Sequence, residues 1–182
     1  MIVLLGVPGS GKGTQGQLLA EGGKCRWLSM GEIFRQKASE SQKQEMLKGN
    51  LLDSKETINL LNQELEELGD RPELIIDGFP RYIDQAEWLL SQHMAKKIKV
   101  SAVINLYANK EVVKERLLSR GRADDSEQTI SNRFDAYEKN SLPATDVLNQ
   151  GGIPVIDINA DQTPEAIHED IIMELQKLDI NI

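Results

Sequence analysis

The chain has 182 residues, which is enough for about one domain with its own hydrophobic core. Its 21 basic and 29 acidic residues leave a net charge of −8, which disfavours a general surface for nucleic acids or anionic membranes. The single cysteine, Cys25, excludes an intramolecular disulfide and a four-cysteine zinc site, and it favours a reducing compartment, so we expect a cytoplasmic protein. The first apolar run, 2–5, is too short for a signal peptide or a membrane span.

A glycine-rich loop follows the first predicted strand and opens a helix. Residues 6–15 read Gly-Val-Pro-Gly-Ser-Gly-Lys-Gly-Thr-Gln, which matches the P-loop pattern G-x-x-x-x-G-K-[ST] up to Lys12. Backbone N–H groups of such a loop and the helix N-terminus bind phosphate, and the lysine reaches the terminal phosphates. Gly13 stands where a hydroxyl usually binds Mg²⁺, and the hydroxyl comes one residue later, on Thr14. We therefore predict a phosphate-binding loop; the alternative is a glycine turn without a ligand.

Further short apolar runs predict the remaining strands, at Cys25–Ser29, 74–76, 100–107 and 153–158. These runs lack polar alternation and are separated by stretches of helix length. They therefore predict an α/β fold with a doubly wound, five-stranded parallel sheet and helices on both faces, as in P-loop NTPases. Ligands of such sheets bind beyond the carboxyl ends of the strands. The stretch 30–66 has helical spacing without a strand, so we expect a helical insert there within a single domain, 1–182.

Two predicted strand ends carry arginines that can bind a second anionic group. The segment after the second strand ends at Arg35, and the segment Asp-Gly-Phe-Pro-Arg after the third ends at Arg81. Guanidinium groups bind phosphate through paired hydrogen bonds. Asp77, at the end of the third strand, is expected to hold the water shell of Mg²⁺; the alternative is that it only caps the next turn.

A third group of arginines lies between positions 116 and 133 of this acidic chain: Arg116, Arg120, Arg122 and Arg133. One interpretation is a solvated, charged helix, because Arg116 and Arg120 are one helical turn apart. The other is that the last three surround the phosphates during transfer and stabilise the charge on their oxygens. Spacing alone leaves both interpretations open.

Taken together, the motifs resemble those of the adenylate kinases and related nucleoside monophosphate kinases over nearly the whole chain. They are the loop at 6–15, Ser-x-Gly-Glu-x-x-Arg at 29–35, Asp-Gly-Phe-Pro-Arg at 77–81 with Gln85, and Gly-Arg-x-Asp-Asp at 121–125. In that family the loop binds the ATP phosphates, a helical insert closes over the acceptor monophosphate, and a lid brings arginines to the reaction centre. The resemblance therefore implies ATP and Mg²⁺ as cofactors.

The resemblance also assigns site residues. For ATP it implies Gly9, Ser10, Gly11, Lys12, Gly13, Thr14, Arg120 and Gln162. For the acceptor monophosphate it implies Met30, Gly31, Arg35, Asn50, Leu51, Leu52, Gly78, Phe79, Arg81 and Gln85. The catalytic residues would be Lys12, Arg81, Arg120, Arg122 and Arg133, with Asp77 contacting the metal through water. The Phe79–Pro80 peptide bond is expected to be cis, as in the family.

Two departures from the family pattern bear on function. Met30 stands where adenylate kinases commonly place a Thr beside the acceptor base, so base preference is less constrained, although Gln85 favours AMP. The lid, about 119–127, is shorter than that of the short-lid members, which argues against a structural zinc. A reduced lid would exclude water less well and raise ATP hydrolysis without acceptor.

The sequence thus predicts an ATP:nucleoside monophosphate phosphotransferase that converts ATP and AMP to two ADP. We expect a monomer whose partners are small-molecule nucleotides, with no nucleic acid or membrane partner. UMP, CMP or GMP as acceptor is the nearest alternative. A different small-molecule kinase, or a nucleotide-binding relative without turnover, is a more distant one.

Overall fold

The computed structural model describes residues 1–21, 25–68, 73–122 and 125–182. Within these ranges five strands form one parallel sheet in the order β2-β3-β1-β4-β5. The strands are β1 (Ile2–Gly6), β2 (Cys25–Ser29), β3 (Glu73–Asp77), β4 (Ala102–Tyr107) and β5 (Val155–Asn159). The predicted five-stranded parallel sheet is therefore confirmed, with strand bounds that differ by up to two residues from the predicted ones.

Helices fill the connections between the strands. They are α1 (Lys12–Ala20), α2 (Met30–Lys37), α3 (Glu40–Leu47), α4 (Ser54–Glu67), α5 (Ile83–Met94), α6 (Lys110–Arg120), α7 (Glu127–Ala136), α8 (Leu142–Gln150) and α9 (Pro164–Lys177). A π-helical turn, Tyr137–Ser141, joins α7 to α8. None of the helices in the described ranges is long and apolar enough to cross a membrane.

Hydrophobic clusters lie on both faces of the sheet. On one face, Val3 of β1 packs in a cluster with buried residues of α4, α5 and α8. On the other face, Ile2 packs with buried residues of α1 and α9. Adjacent residues of β1 thus point into different layers, as strand geometry requires. Both faces of the sheet are covered, which explains why β1 is apolar throughout.

Three helices, α2 to α4, lie between β2 and β3. Each is preceded by a polar residue that suits a helix N-cap, and two of these residues make a capping hydrogen bond. The hydroxyl of Ser39 accepts from the backbone N–H of Gln42 in a capping box, and Asp53 accepts from the backbone N–H of Glu56. All the regular secondary structure in the stretch 30–66 is therefore helical.

Candidate active site

The loop between β1 and α1 has the backbone geometry of an anion cradle. Gly9 and Gly11 have φ angles of 83° and 94°, a region that side chains other than glycine rarely adopt. A Cβ on Gly9 would also lie 2.9 Å from the backbone oxygen of Val113. The loop can therefore turn its N–H groups inward only because glycines occupy these positions.

The side chain of Lys12 folds back onto this loop. Its Nζ donates hydrogen bonds to the backbone oxygens of Gly6 and Val7, at 2.8 Å each. The pKa of Lys12 is lowered to about 7, mainly by burial of its side chain. The positive charge of Arg81 contributes to this lowering, and the carboxylate of Asp77 opposes it. A phosphate group bound beside Lys12 would favour its charged form.

Asp77 is the last residue of β3. The neighbouring strand, β1, leads directly into the phosphate loop. Asp77 Oδ2 accepts a hydrogen bond from Trp27 Nε1 at 2.8 Å, and its Oδ1 accepts one from Ser29 Oγ at 3.3 Å. The residue is only 7% exposed. The carboxylate is therefore held in place at the wall of the cavity described below.

Arg81 follows the cis peptide bond between Phe79 and Pro80. Its Nε donates to the backbone oxygen of Gly78 at 3.1 Å, and its backbone N–H donates to Gln85 Oε1 at 2.7 Å. Burial lowers the pKa of Arg81, while Asp77 acts in the opposite direction. These contacts fix the turn, so the guanidinium group is positioned rather than free in solvent.

The arginines after β4 are gathered around one buried carboxylate. Arg120 donates to Asp125 from Nε at 2.9 Å and from Nη2 at 2.7 Å, and Arg133 Nη1 lies 3.3 Å from the same carboxylate. The backbone N–H of Arg122 also donates to Asp125. Burial acts to raise the pKa of Asp125, but the hydrogen bonds and charge of Arg120 outweigh it, so the pKa is lowered. This arrangement favours an ordered cationic cluster over a solvated helix.

The predicted lid, 119–127, contains Ala123 and Asp124, which lie outside the described residues.

Sequence reasoning missed several residues that line the cavity described below, and Arg116 is one of them. Its Nη1 donates to the backbone oxygen of Ala160 at 2.8 Å, and its Nη2 donates to that of Gln162 at 3.1 Å. Arg116 thereby ties α6 to the loop between β5 and α9. Its spacing of one helical turn from Arg120 was the available signal, because it puts both side chains on the same helix face.

A cavity of about 530 Å³ lies at the carboxyl ends of the strands. That volume is within the usual range for small-molecule sites. Almost every predicted site residue lines it: Gly9, Ser10, Gly11, Lys12, Gly13, Thr14, Met30, Gly31, Arg35, Asn50, Leu51, Leu52, Asp77, Gly78, Arg81, Gln85, Arg120, Arg122, Arg133 and Gln162. The structure thus brings the loop, the strand-end arginine motifs and the lid arginines to one space.

Phe79 is the exception, because it does not line the cavity; its place in the acceptor site stays a prediction. The side chain is fully buried and packs edge-on against Trp88, with ring centroids 5.8 Å apart. It belongs to the hydrophobic core beneath the cavity, so it supports the turn that carries Arg81 without lining the site.

Comparisons with known proteins agree with this geometry. The family model for adenylate kinase matches residues 4–153. An adenylate kinase of Corynebacterium urealyticum is 40% identical over 182 residues, which cover 97% of this chain and 99% of the relative. The adenylate kinase of Mycobacteroides abscessus is 38% identical over 78% of this chain and 82% of its own length, and that of Oenococcus oeni is 35% identical over 88% and 90%. The chain therefore belongs to the adenylate kinase family of nucleoside monophosphate kinases.

Proposed function

We propose that this chain transfers the γ-phosphoryl group of ATP to AMP and releases two ADP. One observation carries the proposal: the phosphate loop, Arg81 and the lid arginines line a single cavity. Phosphoryl transfer demands little covalent chemistry from a protein and depends on positioning and on charge. A cavity that combines a glycine cradle with several cationic groups suits that demand.

In the ATP half of the cavity, the backbone N–H groups of 9–14 would bind the phosphates. Lys12 Nζ already lies on the loop, where it donates to the backbone oxygens of Gly6 and Val7. When ATP binds, it would donate to phosphate oxygens instead. We assign the adenine to the backbone near Gln162, where Arg116 holds the loop between β5 and α9. Arg120 completes this half.

In the acceptor half, we assign the α-phosphate to Arg35 and Arg81. A Cβ on Gly31 would lie 3.6 Å from Arg35 Nη1, an ordinary contact distance, so the guanidinium group of Arg35 lies beside the backbone of Gly31. The nucleoside would lie along Met30, Gly31, Asn50, Leu51, Leu52, Gly78 and Gln85. Met30 offers no hydrogen-bonding group to a base, and this keeps UMP, CMP or GMP as the alternative acceptor.

The residues present fit Mg²⁺ held mainly by phosphate oxygens and water. Mg²⁺ retains several waters and uses one or two carboxylates in such sites. Asp77 supplies one buried carboxylate at the cavity wall, and Gly13 supplies no hydroxyl. We therefore assign Asp77 to the water shell of the ion. When bound, Mg²⁺ would neutralise charge on the phosphates.

The chain's own residues supply the remaining charge. Lys12 and Arg81 would stabilise the transferring group from the loop side and the acceptor side. Arg120, Arg122 and Arg133 would do so from the lid side. Asp125 holds two of these arginines in place before substrate arrives, and such preorganised donors cost little reorganisation during reaction. We assign no general base and no covalent intermediate.

Within one P-loop kinase domain, 1–182, we assign the helical insert, about 30–66, to the acceptor and the segment 119–127 to the lid. A monomeric state, a cytoplasmic location and the lack of nucleic-acid and membrane partners stay predictions.

Alanine substitutions in the two halves test the proposal. Lys12→Ala and Arg81→Ala should each lower kcat/KM by about 100-fold or more, because each removes charge from the reaction centre. Lys97→Ala, at an exposed residue after α5, is the control and should leave kcat/KM unchanged. Near-normal turnover in Lys12→Ala would contradict the proposal.

A further inference from the structure

Trp27 links the helix of the phosphate loop to the carboxylate of Asp77. It lies on β2, while Asp77 ends the neighbouring strand β3, opposite Ser29 in the register. The indole Nε1 donates to Asp77 Oδ2 at 2.8 Å, and the ring lines the cavity. Nothing in the family assignment or in the mechanism above uses this side chain.

The indole ring packs against two glycines of α1. A Cβ on Gly16 would lie only 2.3 Å from the Cδ1 and Nε1 atoms of Trp27, and a Cβ on Gly13 would lie 3.6 Å from its Cζ2. The ring therefore occupies the space that a side chain at position 16 would otherwise fill. The ring lies beside Gly13, the position at which a P-loop usually carries a Ser or Thr hydroxyl.

Asp77 experiences competing forces. Lys12 and Arg81 both interact electrostatically with its carboxylate and attract it. The hydrogen bonds from Trp27 and Ser29 engage one oxygen each, so they define the orientation of the carboxylate plane. Without the indole N–H, the carboxylate could rotate towards the cationic groups.

We propose that Trp27 is a positioning residue that orients Asp77 towards the water shell of the nucleotide-bound Mg²⁺. This inference rests on the proposed function, because it takes Asp77 as the metal-facing group. Partners that orient a metal-facing residue commonly change metal affinity by about tenfold or more when they are removed. Trp27 would compensate for the hydroxyl that Gly13 lacks.

The test measures metal binding without turnover. Mn²⁺ replaces Mg²⁺, the nucleotide is the non-hydrolysable β,γ-imido analogue of ATP, and electron paramagnetic resonance reports free Mn²⁺. Trp27→Phe keeps an aromatic ring against α1 but removes the N–H donor, and Trp88→Phe makes the same change in ring size elsewhere. It should weaken Mn²⁺ binding to the protein–nucleotide complex about tenfold, while the metal-free nucleotide Kd changes by less than about twofold.

Two further variants make the test specific. Trp88→Phe removes the other indole, which packs on Phe79 in the core, and should leave the Mn²⁺ Kd unchanged. In an Asp77→Asn background, Trp27→Phe should cause no additional loss, because the two residues act as one unit. An unchanged Mn²⁺ Kd in Trp27→Phe, or equal losses in both backgrounds, would overturn the inference.

A second readout does not depend on a Trp27 variant folding. In the Trp88→Phe protein, Trp27 is the only indole. Adding Mg²⁺ to its nucleotide complex should change the tryptophan emission, and an unchanged emission would overturn the inference. A protein that binds metal and nucleotide as predicted but forms no diphosphate would instead reject the proposed function alone, and a protein that binds no nucleotide would reject both.

Discussion

Asn132 Nδ2 donates a hydrogen bond to the backbone oxygen of Lys48, with 2.8 Å between the two atoms. Beside it, Thr129 Oγ1 donates to the backbone oxygen of Leu47 at 3.0 Å. These oxygens belong to the end of α3, where a helix leaves carbonyl groups without intrahelical partners. Side chains of α7 therefore cap α3, and α7 also carries Arg133. The proposed acceptor insert and the reaction centre are directly connected.

Removing this connection should loosen α3. Asn132→Ala should raise amide hydrogen exchange over 40–50 about fivefold, since one hydrogen bond contributes about 1 kcal/mol. Hydrogen–deuterium exchange measured by mass spectrometry checks this. Asn149→Ala, at an exposed position of α8, is the matched control. Equal exchange in wild type and Asn132→Ala would show that the contact does not hold α3.

Nucleotide binding should take up a proton at Lys12. Burial, with Arg81 as the next cause, lowers its pKa to about 7, and phosphate binding should raise that pKa. The contribution of Lys12 to affinity is then complete below pH 7 and declines as the pH rises towards the pKa of the bound state. Between pH 7 and pH 9, ADP affinity should fall by up to about tenfold per pH unit.

Calorimetry in buffers of different ionisation enthalpy measures this proton directly. At pH 8 the binding enthalpy of ADP should depend on the buffer, with uptake of close to one proton per ADP. Lys12→Met should remove both the uptake and the pH dependence. A binding enthalpy that is the same in all buffers would contradict the lowered pKa of Lys12.

Asp125→Asn should destabilise the protein and slow the reaction. The side chain of Asp125 is 1% exposed and pairs with Arg120 and Arg133, which are 35% and 21% exposed. Asp125→Asn removes the charge of a buried partner that both arginines share. Because Arg120 is partly solvated, we expect a loss of about 2 kcal/mol in the free energy of unfolding.

That loss corresponds to a fall of roughly 4–8 °C in Tm. We also expect kcat to fall about tenfold, because the arginines lose their preorganisation. Asp146→Asn on the exposed side of α8 provides the control. A Tm and a kcat that both match those of the control would rule out the holding role of Asp125.

Two glycines of α1 should respond differently to the same substitution. A Cβ at position 16 meets the Trp27 ring at 2.3 Å, whereas one at position 13 makes an ordinary contact at 3.6 Å. Gly16→Ala should therefore destabilise the protein by about 1–3 kcal/mol through overpacking. Gly13→Ala should be neutral or stabilising by up to about 1 kcal/mol, because alanine favours a helix. Chemical denaturation of both variants measures this; equal effects would contradict the packing of Trp27 on α1.

Local patterns were sufficient to predict the sheet and the loop. The apolar run of β1 followed by G-x-x-x-x-G-K encodes both the strand and the turn, because both depend on adjacent residues. The bounds of β4 were less predictable. Val100 is apolar, but its backbone N–H donates to His93 Nδ1, and that of Ser101 donates to the backbone oxygen of Met1. Hydropathy does not report such partners, so the predicted strand began two residues early.

Long-range contacts explain the remaining differences in the site. Arg116 binds backbone oxygens 44 and 46 residues away, and Trp27 binds a carboxylate 50 residues away. The spacing of Arg116 from Arg120 indicates a shared helix face, but the distant partners of Arg116 and Trp27 cannot be read from neighbouring residues. Phe79 was assigned to the acceptor site from its motif, although an apolar ring between Gly78 and Pro80 can equally enter the core, as it does here.

The most direct test is an assay with ATP, Mg²⁺ and four separate acceptors, AMP, UMP, CMP and GMP, in which ³¹P NMR follows the diphosphates formed. AMP should be converted to ADP with a kcat/KM at least about tenfold above that of each other acceptor, because we assign Gln85 to the edge of the acceptor base. Faster conversion of another acceptor would contradict the assignment of AMP. Formation of no diphosphate from any acceptor, with ATP still bound, would contradict the proposed phosphotransferase.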